Sequence, residues 1–111
     1  MSERHLFVVL SNAVTGREDE FNDWYDNRHL DDVLAVPGVV SAQRFALSSE
    51  QRMAPPHPFQ YLALYEIETD DLKKVIETLS QRSGTTVMPL SATMAEQKAV
   101  FMFKPITTVK R

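Results

Sequence analysis

Apolar positions along the chain follow two rhythms, one close to every second residue and one close to every third or fourth. "HLFVVLS", residues 5 to 11, is apolar, β-branched and too short for a helix, so it reads as a strand. Its apolar run is continuous, which predicts burial on both faces. "VVSAQRFALS", residues 39 to 48, reads as a second strand. Val39, Ser41, Gln43, Phe45 and Leu47 would share one face, and Val40, Ala42, Arg44 and Ala46 the other. "FQYLALYEIE", residues 59 to 68, is the third, with Tyr61, Ala63, Tyr65 and Ile67 on one side. "KAVFMFKPIT", residues 98 to 107, is the fourth.

The longer period appears twice. In "TDDLKKVIETLSQRSG" the residues Leu72, Val75, Ile76 and Leu79 form an apolar stripe. Thr69 is the expected N-cap, Asp70 and Asp71 fall in the first turn, and Gly84 suits the C-terminal cap. A first helix is expected from Arg17 to about Val36. It opens on Glu18, Asp19 and Glu20, where the helix dipole favours carboxylates, and closes at Pro37 and Gly38. Between the second and third strands lies "SEQRMAPPHP", an extended loop with three prolines.

The order β-α-β-β-α-β predicts a ferredoxin-like α+β fold: a four-stranded antiparallel sheet with two helices on one face. At 111 residues the chain is expected to form a single domain, residues 1–111. Two helices cover one side of the sheet only, yet apolar positions occur on both sides of strands one, three and four. A homodimer joined sheet to sheet is the economical cover.

The first helix breaks its own pattern. At about 100° per residue, with Phe21 at 0°, Trp24 falls near 300°, Tyr25 near 40° and Arg28 near 340°. On the same count Leu30 falls near 180°, Val33 near 120° and Leu34 near 220°. One straight helix cannot bury both stripes against a single sheet. Burial all round is excluded by seven Asp and Glu residues between Glu18 and Asp32, since unpaired buried carboxylates are costly. A kink or re-start between Arg28 and Asp31 is therefore expected, although neither Pro nor Gly is there to cause it.

Composition narrows the function. Net charge is -3, and the 12 Lys and Arg residues form no basic block, so a nucleic-acid partner is not expected. The absence of cysteine excludes disulfides, thiolate metal sites and Cys nucleophiles. The only long apolar run near the start, Leu6 to Leu10, is too short for a signal peptide or a spanning helix, which predicts a cytoplasmic, non-membrane protein. His5 and His57 are isolated and no His pair has metal-ligand spacing, so no metal is expected. No Gly-rich phosphate loop or nucleophile elbow occurs, and no cofactor is expected.

His29 is the candidate acid-base residue, with an ordinary pKa of about 6.5 that modest surroundings can poise. Tyr25 lies four residues before it and Asp32 three after, within reach on a regular helix. Asp32 could fix the imidazole tautomer, or be a surface neighbour of an exposed histidine. Trp24 and Tyr25 could line a pocket or simply be core. Asn22 could orient a carbonyl or be solvated. Arg44, between the small Ala42 and Ala46, could hold a carboxylate in a cavity or point to solvent. Tyr61, Tyr65 and Phe103 could line a site for a flat ligand, or contribute to core or dimer face.

The residues "FNDWYDNRHLDDVLAVPGVVSAQRF" resemble the signature of EthD-like proteins of the dimeric α+β barrel superfamily. Trp24, Tyr25, His29, Leu30, Asp32, Pro37, Gly38, Ala42, Arg44 and Phe45 match its pattern. The resemblance implies protomers paired through their sheets, with a small-molecule cavity between sheet and helices and His29 as a pocket residue. Relatives include lactone isomerases, polyketide cyclases, cofactor-free monooxygenases and haem-degrading enzymes. Asp31 departs from the pattern, where a Pro often follows the His-Leu pair. The expected activity is cofactor-independent proton transfer α to the carbonyl of a small cyclic or aromatic compound. His29 would carry the proton, with Asp32 or Tyr25 orienting it and Arg44 or Asn22 holding the developing enolate. The alternatives are a non-catalytic homodimeric binder of a small hydrophobic metabolite, and a haem-binding or monooxygenase-type protein.

Overall fold

The computed structural model describes residues 2–111. Four strands, β1 (Glu3–Ser11), β2 (Val39–Ala46), β3 (Tyr61–Thr69) and β4 (Ala99–Phe103), form one antiparallel sheet in the order β2-β3-β1-β4. Helical residues run from Glu18 to Leu34, and α3 (Leu72–Arg82) follows β3. The predicted ferredoxin-like order is the observed one. Strand ends differ: β3 begins at Tyr61 rather than Phe59, and β4 stops at Phe103 rather than Thr107. Lys104 and Pro105 follow directly, and Pro has no N–H to continue a ladder.

Register assigns the two faces. His5, Phe7, Val9 and Ser11 of β1 lie level with Ile67, Tyr65, Ala63 and Tyr61 of β3, and this face turns toward the helices. Leu6, Val8 and Leu10 lie on the other side with Leu62, Leu64, Phe101 and Phe103. On β2 the expected alternation holds from Ser41 onward, but a bulge between Val39 and Ser41 pairs Val39 with Ile67. The extra residue flips Val39 to the helix side, where it is buried.

At α3 the N-cap is Asp71, not Thr69. The Asp71 carboxylate accepts from the Lys74 amide at 3.2 Å, while the Thr69 hydroxyl accepts from the Asp71 amide at 3.0 Å. Gly38 turns the chain into β2 with a φ of +101°, and a Cβ there would come within 2.9 Å of Val75 Cγ2. That close approach packs the turn onto α3.

The first helical segment resolves its phase conflict without a break. α1 (Glu18–Trp24) passes into a π turn (Tyr25–His29) and then α2 (Leu30–Leu34), with helical dihedrals at every junction. The Leu30 amide donates to the Tyr25 carbonyl five residues back. One extra residue in a turn sets later positions back by about 100°. Val33 moves from near 120° to about 20°, onto the stripe of Phe21 and Tyr25. The relative exposures of Phe21, Tyr25 and Val33 are 0%, 1% and 2%. Leu34 turns outward and is exposed. The expected kink or re-start is thus a widening of the coil, which needs neither Pro nor Gly.

Candidate functional site

A cavity of about 150 Å³ lies between the sheet and the helical layer. Phe7, Val9 and Tyr65 form its floor, and Trp24, Tyr25 and His29 its helical wall. The segment between α3 and β4, irregular by sequence, closes the third side with Met88 and Met94. It is held against the loop after β1: the Val14 amide donates to the Thr93 carbonyl at 2.7 Å and the Ala95 amide to Asn12 at 2.9 Å. No periodic signal in residues 85 to 97 announces this role. Lys98, at the end of the segment, also lines the cavity and was likewise not singled out by pattern.

The π turn sets the aim of His29. Its ring stacks on Trp24, centroids 4.5 Å apart at 25°, and meets the Tyr25 ring edge-on at 5.1 Å. Trp24 is itself fixed by donating from Nε1 to the Pro89 carbonyl at 3.1 Å. His29 Nδ1 is buried with no hydrogen-bond partner. Burial drives the imidazole pKa down to about 4; the Asp32 charge opposes this and the Lys98 charge adds to it. His29 is therefore neutral at pH 7, a proton acceptor whose conjugate acid gives its proton up readily.

The expected His29–Asp32 pair does not form. The Asp32 carboxylate accepts instead from Arg28 Nε at 2.7 Å, a contact between residues four apart, and Arg28 Nη2 donates to the Thr86 carbonyl at 2.9 Å. Arg28 and His29 are both within helical reach of Asp32, and the ordinary four-residue contact with the guanidinium takes the carboxylate.

Arg44 and Asn22 are also placed away from the cavity. Arg44 Nη1 donates to Asp26 at 2.7 Å, and Nη2 to Asn22 Oδ1 at 2.8 Å. Asn22 Nδ2 reaches the Tyr61 hydroxyl at 3.4 Å. The guanidinium lies over the Tyr25 ring, 4.4 Å from its centroid. Arg44 thus braces Tyr25 and cannot hold an enolate beside His29. Tyr61 belongs to this polar cluster, and Phe103 lies on the opposite sheet face because strand side chains alternate. Of the predicted residues, Trp24, Tyr25, His29 and Tyr65 meet at the cavity.

Tyr65 is fully buried; its hydroxyl makes no hydrogen bond of good geometry, and the Tyr25 phenol is the group it interacts with. Burial raises its pKa far above the usual range, with Tyr25 adding to the rise and Arg44 opposing it; burial raises Tyr25 as well. Both phenols stay protonated, so Tyr65 can act as a hydrogen-bond donor. Among the described residues no group of three or more His, Asp or Glu side chains is arranged to hold a metal ion, and no helix is long and apolar enough to cross a membrane.

No family profile matches the chain. It is 32% identical over 99 residues to core atranone cluster protein 1 of Stachybotrys chlorohalonatus, a match covering 85% of this chain. The chain spans about two fifths (39%) of that relative's length. An EthD family protein from Bacillus halodurans superposes with a TM-score of 0.54 at 12% identity, covering 96% of this chain and 100% of the other. The haem-degrader MhuD of Mycobacterium tuberculosis, with two haems in its active site, gives 0.63 at 12% identity, covering 96% and 99%.

The His29 environment predicts a pH dependence of stability. The folded pKa is about 4 against about 6.5 unfolded, so between these values the unfolded chain binds more protons. Stability is then full above about pH 6.5 and falls as pH drops toward 4, by on the order of 3 kcal/mol from this group. Urea denaturation between pH 4 and 7 should show a shallower loss in His29→Gln than in the wild type. Equal pH slopes for the two proteins would contradict a half-buried, neutral His29.

Proposed function

Starting from the ferredoxin-like fold this chain shares with EthD and related proteins of the dimeric α+β barrel superfamily, we propose that it is a cofactor-independent enzyme acting on a small cyclic or aromatic carbonyl compound. The observation that carries this reading is the neutral His29 ring, clamped between Trp24 and Tyr25 at an apolar cavity, with Nδ1 unpartnered. A buried polar atom left unpaired costs about 1–3 kcal/mol, and a ligand group that pairs with it recovers that cost. An engineered apolar cavity of about 150 Å³ admits one benzene ring, so this volume suits a single six-membered ring.

In the proposed reaction His29 removes a proton from the carbon α to the carbonyl, giving imidazolium and enolate. The Tyr65 hydroxyl donates to the enolate oxygen where charge develops. The imidazolium then returns the proton to a different carbon, completing an isomerisation with no net gain or loss of atoms or electrons. Tyr25 positions His29 through the ring edge, and Arg44 positions Tyr25. The likeness to an atranone cluster protein supports small-metabolite chemistry. Haem does not suit this cavity: about 150 Å³ is below the roughly 300–1,000 Å³ of ordinary small-molecule sites.

We also infer that a second copy of the chain covers the outer sheet face. Val8, Leu64 and Phe101 lie level across three strands there, and Phe101 and Phe103 are 53% and 54% exposed. An apolar row of that kind resembles a divided core more than a wetted surface.

A panel of cyclic and aromatic carbonyl compounds should yield one that is turned over. With it, His29→Ala should lose about 10²–10⁴-fold in kcat while ligand affinity changes little. Unchanged turnover would refute the role of His29, and binding without any product would favour a non-catalytic carrier. Light scattering should give a dimer mass for the wild type and a monomer mass for Phe101→Glu; a monomeric wild type would sink the paired sheet.

A further inference from the structure

The cavity wall carries one formally charged side chain, Lys98, and no carboxylate. Asp32, the carboxylate whose charge acts on His29, is tied to Arg28. Arg4, Arg17, Arg28, Arg44 and Lys104 each pair with a carboxylate; Lys98, like Lys73, Lys74 and Arg82, takes part in none of the ion pairs found among the described residues, and it alone of these lines the cavity. Lys98 is exposed where the chain enters β4, so its flexible stem lies at the mouth of the cavity rather than in its floor. A protein of net charge -3 thus presents an unpaired cation at the rim of an apolar cavity.

We propose that Lys98 is a specificity-determining residue that selects a ring-sized ligand bearing a carboxylate, held at the cavity mouth while the ring lies against Trp24 and His29. This rests on the cavity being the ligand site, as argued above, and adds the charge of the ligand. The cavity accepts about one ring, so a ring substituent must project toward the opening. A carboxylate is chosen over a phenol because its pKa near 4 keeps it ionised at neutral pH, while a phenol near 10 stays neutral. An ammonium point charge on a mobile stem suits a carboxylate at a partly wet rim. Its charge reaches the His29 ring, which shows that the two side chains share one electrostatic environment. A carboxylate at the mouth offsets the Lys98 charge that lowers the His29 pKa, which strengthens the imidazole as a base.

Benzoate and benzamide differ little in shape and by one charge, and serve as the probes. Isothermal titration calorimetry at pH 7 and low salt should show wild type binding benzoate about tenfold tighter than benzamide. Lys98→Gln should remove that preference and leave benzamide affinity unchanged, and Lys98→Arg should keep it. Added salt should weaken benzoate alone. Equal affinities in the wild type, or a preference that survives in Lys98→Gln, would overturn the role of Lys98 while leaving the cavity as a ring site. Failure of both probes to bind would overturn this inference together with the ring-sized cavity beneath it.

Discussion

A helical segment can bury one face against a sheet only while its apolar residues stay in phase, and that constraint shapes this protein. Phe21, Tyr25 and Val33 must all reach the core, yet a regular helix would turn Val33 about 80° away from Tyr25. The π turn between Tyr25 and His29 removes the mismatch by taking up one more residue. The widened coil then fixes everything nearby. It leaves His29 against Trp24 and the cavity, and puts the Tyr25 ring in contact with both the imidazole and the Arg44 guanidinium.

The arrangement separates two kinds of polar group. At one end Arg44, Asp26, Asn22 and Tyr61 hydrogen-bond one another and the cation is neutralised, with Arg44 Nε alone left buried and unpaired. At the other, His29 Nδ1 is left without a partner, and the Tyr65 hydroxyl without a hydrogen bond of good geometry, next to an apolar space. Buried polar groups are normally paired, so atoms left over on a cavity wall mark where chemistry or binding takes place. Tyr25 forms the boundary. Its ring contacts both the guanidinium and the imidazole, which links the ion-paired cluster to the cavity wall.

Much of this was legible from the residues. The strand and helix order followed from periodicity, and the phase slip after Arg28 located the irregular turn, although not its form. Trp24, Tyr25 and His29 belong together because helical spacing and the π turn both keep them adjacent. The failures are equally specific. The count that placed His29 within reach of Asp32 overlooked that Arg28, four residues before Asp32, is an equally close and always charged partner. Arg44 was read from its small strand neighbours, but the partners that decide its role, Asn22 and Asp26, come from another element. Met88, Met94 and Lys98 lie in or beside a segment with no periodicity, so only folding brings them to the cavity. Phe103 could be read as lining a site or as part of a dimer face because neither side of its strand is polar, and register places it on the outer face.

The central claim is that the π turn holds a half-buried His29 in neutral form beside the cavity, with Nδ1 turned away from water. Carbon-detected NMR titration of the imidazole measures this directly. The account predicts a midpoint for His29 near pH 4 in the folded protein. A midpoint near 6.5 would mean that the ring is solvated, and the account of the site would be wrong.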